Sequence, residues 1–352
     1  MKLNELKIKD LTSKLPIIQG GMGIGVSGWK LSSAVANAGG IGIISGAQSG
    51  YRENDFAKNT IESNLRAFRE EIRKAKENTK GIIGVNIMVA MKNYAELVKV
   101  AVDEKVDLII SGAGLPLDLP GLVEGSATKI VPIVSSLRAA ELIMRRWTKK
   151  FQRQPDAIVV EGPEAGGHLG FKREELLDNS AQDLYTLVAQ LKEYLDEKEL
   201  DIPIIAAGGI FRGEDIVKAM EAGASGVQMA TRFVATYECD ASDAFKQAYI
   251  DAKKEDVVIM QSPVGLPGRA LRNPMLKTIE KEGRIPVKKC YHCVHKCDPK
   301  TTPFCITQAL VNAVNGDLDH SLLFVGSRVP EVEKMQSVQE IFDELVNEVE
   351  AL

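Results

Sequence analysis

The sequence predicts an α/β fold: a TIM-type (β/α)8 barrel with a small, cysteine-containing C-terminal extension. Three observations point there. Eight short apolar runs recur at 16–19, 40–45, 82–88, 108–111, 130–135, 157–161, 203–206 and 226–230. Stretches with helical spacing of apolar residues separate them, at 29–38, 60–76, 94–105, 137–146, 181–198 and 213–222. Each run is apolar almost throughout, which marks strands covered on both faces, and eight of them in repeated β–α order favour a closed parallel barrel. An open doubly wound sheet is the alternative.

Taken in order, the runs end on turn residues. The first stops on Gly20-Gly21-Met22-Gly23, and later ones on Ser45-Gly46, Ser111-Gly112-Ala113-Gly114 and Gly208-Gly209. In such barrels the C-terminal strand ends form the face where ligands sit. The sixth run leads into Glu161-Gly162-Pro163-Glu164-Ala165-Gly166-Gly167-His168, which ends in one of only four histidines. Glycines there let a flat ligand approach the backbone, and His168 has an ordinary pKa near neutrality. A histidine that merely packs in a tight turn is the plainer reading. Ala206-Ala207-Gly208-Gly209-Ile210 and Gly226-Val227-Gln228-Met229-Ala230-Thr231-Arg232-Phe233 follow and form the seventh and eighth strands. Their exits have the composition of a phosphate cradle, although two helix-capping turns would look alike. Gly21 to Gly28 do not make a dinucleotide-binding GxGxxG fingerprint with a following acidic residue.

After Phe233 the periodicity changes. A helix is expected over 242–253, and the Gly/Pro-dense stretch 261–269 reads as a structured loop. The expected division is a barrel at 1–260, a lid or connecting loop at 261–285, and an extension at 286–352 that ends in an amphipathic helix.

Composition bounds the function. The 352 residues carry a net charge of −4 and are 45% hydrophobic. No concentrated basic face for nucleic acid is implied. The cluster Arg145, Arg146, Lys149, Lys150, Arg153 reads as a solvated helix end, with a phosphate-bearing cofactor or carrier protein as its alternative partner. With no leader pattern and no apolar run of about 18 residues, cytoplasmic residence without a membrane span is the expectation.

Four of the five cysteines follow the spacing Cys290-x2-Cys293-x3-Cys297-x7-Cys305, with His292 and His295 between them. This suits a metal site better than a disulfide framework: a [4Fe–4S] cluster first, zinc second, unliganded thiols third. Cys239 stands apart as an ordinary buried thiol.

The runs Pro16 to Met22, Ala34 to Gly42, Gly84-Val85-Asn86, Glu161 to His168, Ala206 to Ile210 and Thr231-Arg232-Phe233 resemble the nitronate monooxygenases, formerly called 2-nitropropane dioxygenases. The flavin-dependent enoyl-acyl-carrier-protein reductases are close relatives of that family. The resemblance implies non-covalent FMN with its phosphate on Gly208, Gly209, Ala230 and Thr231. It implies a flavin ring over Gly21, Met22 and Gly23, polar contacts from Asn86 and Gln228, and Glu161 at the ribityl chain or ring edge. Gly166 and Gly167 would leave room for the flavin face, and His168 occupies the catalytic position.

Two departures bear on the choice of reaction. Some nitronate monooxygenases carry a lysine where this chain has Ile133-Val134-Ser135-Ser136. The Gln19-Gly20-Gly21-Met22 and Ser111-Gly112-Ala113-Gly114 turns look closer to the enoyl reductases, which take hydride from NAD(P)H and act on thioesters borne by acyl carrier protein. Oxidation of nitronates or nitroalkanes with O2 is the leading expectation, enoyl thioester reduction the second, and a flavin/metal redox sensor or electron relay the third.

Overall fold

The computed structural model describes residues 2–352. Strands β1 (Leu6–Ile8) and β2 (Leu11–Ser13) form an antiparallel hairpin. Six parallel strands follow: β3 (Ile17–Gln19), β4 (Ile41–Ser45), β5 (Ile82–Met88), β6 (Leu108–Gly112), β7 (Lys129–Val134) and β8 (Ile158–Glu161). After the two-residue strand β9 (Gly167–His168) come β10 (Ile204–Ala207) and β11 (Gly226–Met229). The barrel closes in the order β10-β11-β3-β4-β5-β6-β7-β8, with Ile204 of β10 opposite Ile158 of β8. The expected closed barrel is the observed one, and the open sheet is not.

Closure follows from what each strand can bury. Alternate residues point to opposite faces, so Ile18, Ile43, Ile110, Val131, Val159 and Ile205 fill the barrel interior, while Ile17, Ile44, Ile109, Ile130, Ile158 and Ile204 meet the surrounding helices. Leu6 and Ile8 of the hairpin join the interior cluster, and Leu6 lies close to Gly226 and Pro16 at the strand starts. The N-terminal end of the barrel is therefore plugged, which leaves the C-terminal end for a site.

The segment expected as a lid or connecting loop at 261–285 is more regular than its composition suggests. Strands β12 (Val257–Gln261) and β13 (Pro267–Leu271) form an antiparallel hairpin, and the helix Pro274–Glu282 follows. The Gly/Pro density marks the hairpin turn. The rest of the pattern is hidden because β13 pairs with β9, Gly268 opposite His168 and Arg269 opposite Gly167, a contact distant in sequence. This hairpin roofs the mouth of the barrel.

The extension returns to the barrel twice. Leu271 N–H donates to Leu323 O and Val325 N–H to Arg269 O, so the chain around 323–325 runs beside β13. The last helix, Val338–Glu350, is opened by a Ser337–Glu340 capping box and buries Val338, Ile341, Phe342, Leu345 and Val349 against the barrel. No helix among the described residues is long and apolar enough to cross a membrane.

Candidate active site

A cavity of about 250 Å3 opens at the C-terminal ends of the strands. Every residue expected from the resemblance to hold the cofactor or act in catalysis lines it. Gly21, Met22 and Gly23 come from the turn after β3, Asn86 from β5, and Glu161 from the end of β8. Gly166, Gly167 and His168 come from β9 and the turn before it, Gly208 and Gly209 from the turn after β10, and Gln228, Ala230 and Thr231 from β11 and its exit.

The glycines have different reasons for being there. A Cβ on Gly21 would run into the side chain of Asn86, and one on Gly23 would lie 2.5 Å from Ala47 Cβ, so the shelf after β3 can lie close against its neighbours only without side chains. Gly208 and Gly209 have φ of 92° and 83°, a turn that other residues adopt only with strain. Gly167 also has positive φ, 74°, and a Cβ there would face open space. Gly166 departs from the expectation that it makes room for a flavin face. A Cβ on it would lie 2.6 Å from Val325 C and 2.7 Å from Gly326 N, so its missing side chain makes room for the extension.

The cavity walls are polar but uncharged where Glu161 and His168 meet them. Desolvation at the strand end pushes the Glu161 carboxyl up to about 8, so it is protonated at neutral pH. Desolvation lowers His168 to about 4, so its imidazole is neutral. His168 Nε2 lies 2.8 Å from Ser262 Oγ in the β12–β13 turn, and its ring meets Phe324 edge-on with centroids 4.9 Å apart. Gln228 Oε1 is buried without a hydrogen-bond partner among the described residues. A buried amide oxygen left unpaired costs stability unless a ligand supplies the donor.

Positive charge gathers at the opposite end, beside the turns after β10 and β11. Arg232 and Arg328 lie on the Phe211 ring, at 5.2 and 5.3 Å from its centroid. Arg232 Nη1 donates to Phe211 O at 3.1 Å, and Arg328 Nη1 donates to Gly209 O at 3.2 Å.

The sequence predicts a lid or connecting loop at 261–285, but not the residues through which the roof meets the cavity. Ser262, which fixes His168, and the cavity-lining Phe245, Tyr249, Leu310, Leu322, Phe324 and Gly326 all follow the last barrel strand. Pro263 and Gly265, which follow Ser262, mark a turn, but nothing local shows what the turn covers.

The cysteine module is a correction. Among the described residues no three His, Cys, Asp or Glu side chains stand where they could hold one metal ion, and Cys290, Cys293, Cys297 and Cys305 are free thiols. The expected iron–sulfur or zinc centre therefore finds no ligand group among the described residues. The reason lies in the packing. Cys293 and Cys297 join an apolar cluster with Val264, Met275, Val294 and Phe304, and Cys305 precedes the helix Ile306–Val314. Burial raises the Cys293 thiol and pushes Cys305 up to about 11, which keeps both protonated at neutral pH. The segment is held instead by backbone: Lys92 N–H donates to Cys293 O and His295 N–H to Ala90 O. The basic cluster at 145–153 is partly spent on surface ion pairs, Arg146 and Lys150 with Asp118 and Arg153 with Asp156, and none of it lines the cavity.

Comparison with known proteins agrees with this geometry. A family model described as nitronate monooxygenase matches residues 4–348. An octahydro-indene-carboxyl-CoA dehydrogenase from Mycobacterium tuberculosis is 30% identical over 269 residues, covering 76% of this chain. The chain spans 66% of that relative, just under two thirds of its length. A probable nitronate monooxygenase from Staphylococcus saprophyticus is 26% identical over 317 residues, covering 81% of this chain and 84% of the relative. Among solved structures, FabK from Thermotoga maritima superposes with a TM-score of 0.72 at 27% identity, covering 96% of this chain and 93% of that one.

Proposed function

The chain belongs to the nitronate monooxygenase family, and from that premise we propose that it is an FMN-dependent oxidoreductase that oxidises nitronates with O2. The residues fit the cofactor. The turn at Gly208 and Gly209, whose positive φ glycine adopts without strain, would take the phosphate together with Ala230 and Thr231. Gly21, Met22 and Gly23 would carry the ring, with Gln228 Oε1 accepting a hydrogen bond and Asn86 and the protonated Glu161 beside it. FMN, when bound, supplies the electron acceptance and the reaction with O2.

The observation that carries the substrate choice is His168. An imidazole held near 4 is a weak base, poorly matched to taking the α-proton of a neutral nitroalkane. It suits a substrate that arrives already as the anion. Ser262 holds Nε2, and the other ring nitrogen is left to meet the nitronate oxygens. The surrounding apolar groups, Phe324 among them, exclude water and strengthen that hydrogen bond.

A second reading, NAD(P)H-dependent reduction of an enoyl thioester presented on acyl carrier protein or coenzyme A, draws on the apolar roof of Leu310, Leu322 and Phe324, which suits an acyl chain. A relative named as a carboxyl-CoA dehydrogenase also supports it. The third reading, a flavin/metal redox sensor or electron relay, drew on a metal centre at the cysteines and lacks that support. An anaerobic titration separates the first two. Bleaching of the flavin band by nitronate supports oxidation. Bleaching by NADH or NADPH, reversed by an enoyl thioester, selects reduction, and indifference to all of them overturns both.

A further inference from the structure

We infer that the phosphate cradle has a third edge, contributed by the extension: the strap Gly326-Ser327-Arg328, in which Gly326 donates its N–H to the cofactor phosphate and Arg328 positions the cradle. This inference rests on the FMN reading and adds to the barrel turns a segment that the barrel motifs do not contain.

The strap is built into the cradle from both sides. Gly326 is buried and lines the cavity with Gly209, Ala230 and Thr231. A Cβ on it would lie 2.5 Å from Thr231 Oγ1, and its φ lies outside the left-handed region, so close approach and not conformation demands glycine there. On its other side Gly166 gives up its own side chain to Val325 and Gly326. Ser327 N–H donates to Glu164 O at 3.1 Å, which fixes the strap to the turn before β9.

Unpaired donors collect at this point. Among the described residues the N–H groups of Gly326 and Gly209 make no hydrogen bond. Ser327 Oγ is likewise buried without a partner. Buried amides are nearly always paired, so the unpaired N–H of buried Gly326, on the cavity wall beside that of Gly209, identifies a place where an acceptor-rich group is expected. A phosphate offers such acceptors.

Arg328 acts through the others. Its guanidinium donates to Gly209 O at 3.2 Å and pairs with Asp215 and Glu331, while its plane lies on Phe211. Asp215 in turn accepts from the N–H groups of Phe211 and Arg212 at 2.9 and 2.8 Å. The carbonyl of Gly209 is thereby held toward Arg328, outside the phosphate position. Arg232 on the same ring ties the exit of β11 to this unit. The two carboxylates neutralise most of the Arg328 charge, so its contribution is to hold backbone in place.

The test compares FMN with riboflavin, which lacks the phosphate. Dissociation constants of both are measured by flavin fluorescence on the flavin-stripped full chain, for the parent and for Gly326→Ala, Ser327→Ala, Arg328→Met and Arg328→Lys. The parent should prefer FMN strongly. Gly326→Ala and Arg328→Met should each weaken FMN by roughly tenfold or more while leaving riboflavin within about twofold, the scale of one lost charge-assisted contact. Ser327→Ala should lose less, and Arg328→Lys should fall between parent and Arg328→Met. A parent-like ratio of FMN to riboflavin affinity in all four variants overturns the strap. Equal loss of both ligands also overturns it, because that reports general damage. A parent that binds neither flavin sinks the FMN reading itself.

Discussion

His168 Nε2 and Ser262 Oγ stand 2.8 Å apart, joining the strand that ends the barrel's sixth βα unit to the turn of the hairpin above it. Val264 N–H also donates to Ser262 Oγ at 3.3 Å, which fixes the serine against the turn and leaves its hydrogen and one lone pair for Nε2. Removing the hydroxyl should free the ring to turn. Ser262→Ala is expected to retain flavin but lose about tenfold in kcat, with less change in KM, and Ser262→Thr should restore part of it. Unchanged kcat in Ser262→Ala would make the contact incidental.

His168→Asn should hold flavin and lose roughly 10²-fold in turnover, the scale of a missing acid–base or hydrogen-bonding group. Its pH dependence has a defined sign. Folding lowers His168 from 6.5 to about 4, so between those values the unfolded chain binds the extra proton and stability rises with pH. The contribution is complete above about pH 6.5 and is lost as pH falls through 4. Activity that needs the neutral ring should therefore persist to about pH 5, and an acid limb near 6.5 in the kcat/KM profile would contradict this.

Glu161 behaves in the opposite sense. Its folded pKa is raised from 4.5 to about 8, so the folded chain holds the extra proton in that window and stability falls as pH rises. Glu161→Gln should flatten this dependence. The thermal midpoint of the flavin-free variant, compared with the parent at pH 5 and pH 8.5, should show a gain only at the higher pH. An equal gain at both would mean the carboxyl is not the titrating group.

Gly209→Asp should yield folded, colourless protein. The substitution strains a backbone at φ 83°, drives a side chain into the carboxylate of Glu164, and adds negative charge to the turn proposed to hold the phosphate. Absorbance at the flavin band against total protein measures the outcome, and full occupancy would remove the phosphate from this turn.

The terminal helix belongs to the core. Phe342 is 1% exposed, its ring centroid lies 6.0 Å from that of Phe233, and Gly40 has no room for a side chain because Phe342 occupies it. Phe342→Ala should cost about 3–5 kcal/mol, the range for a buried phenylalanine, and show as a lower denaturation midpoint for the whole barrel. A loss below about 1 kcal/mol would mean the helix is a detachable appendage.

The sequence by itself determined the barrel and the residues along its mouth. Strands buried on both faces must be apolar throughout, as in Ile158-Val159-Val160, and a turn such as Gly208-Gly209 must be glycine to reach positive φ, so both leave marks that need no partner to be read. Tertiary structure alone decided what covers that mouth. Ser262 is placed on His168 by the register of β13 against β9, Gly326 reaches Thr231 only because Val325 follows Arg269, and Cys293 and Cys297 are drawn into an apolar cluster and not around a metal. Their local sequence carries no periodic signal for these contacts, because each joins segments far apart in the chain through pairing and packing that only the folded barrel supplies.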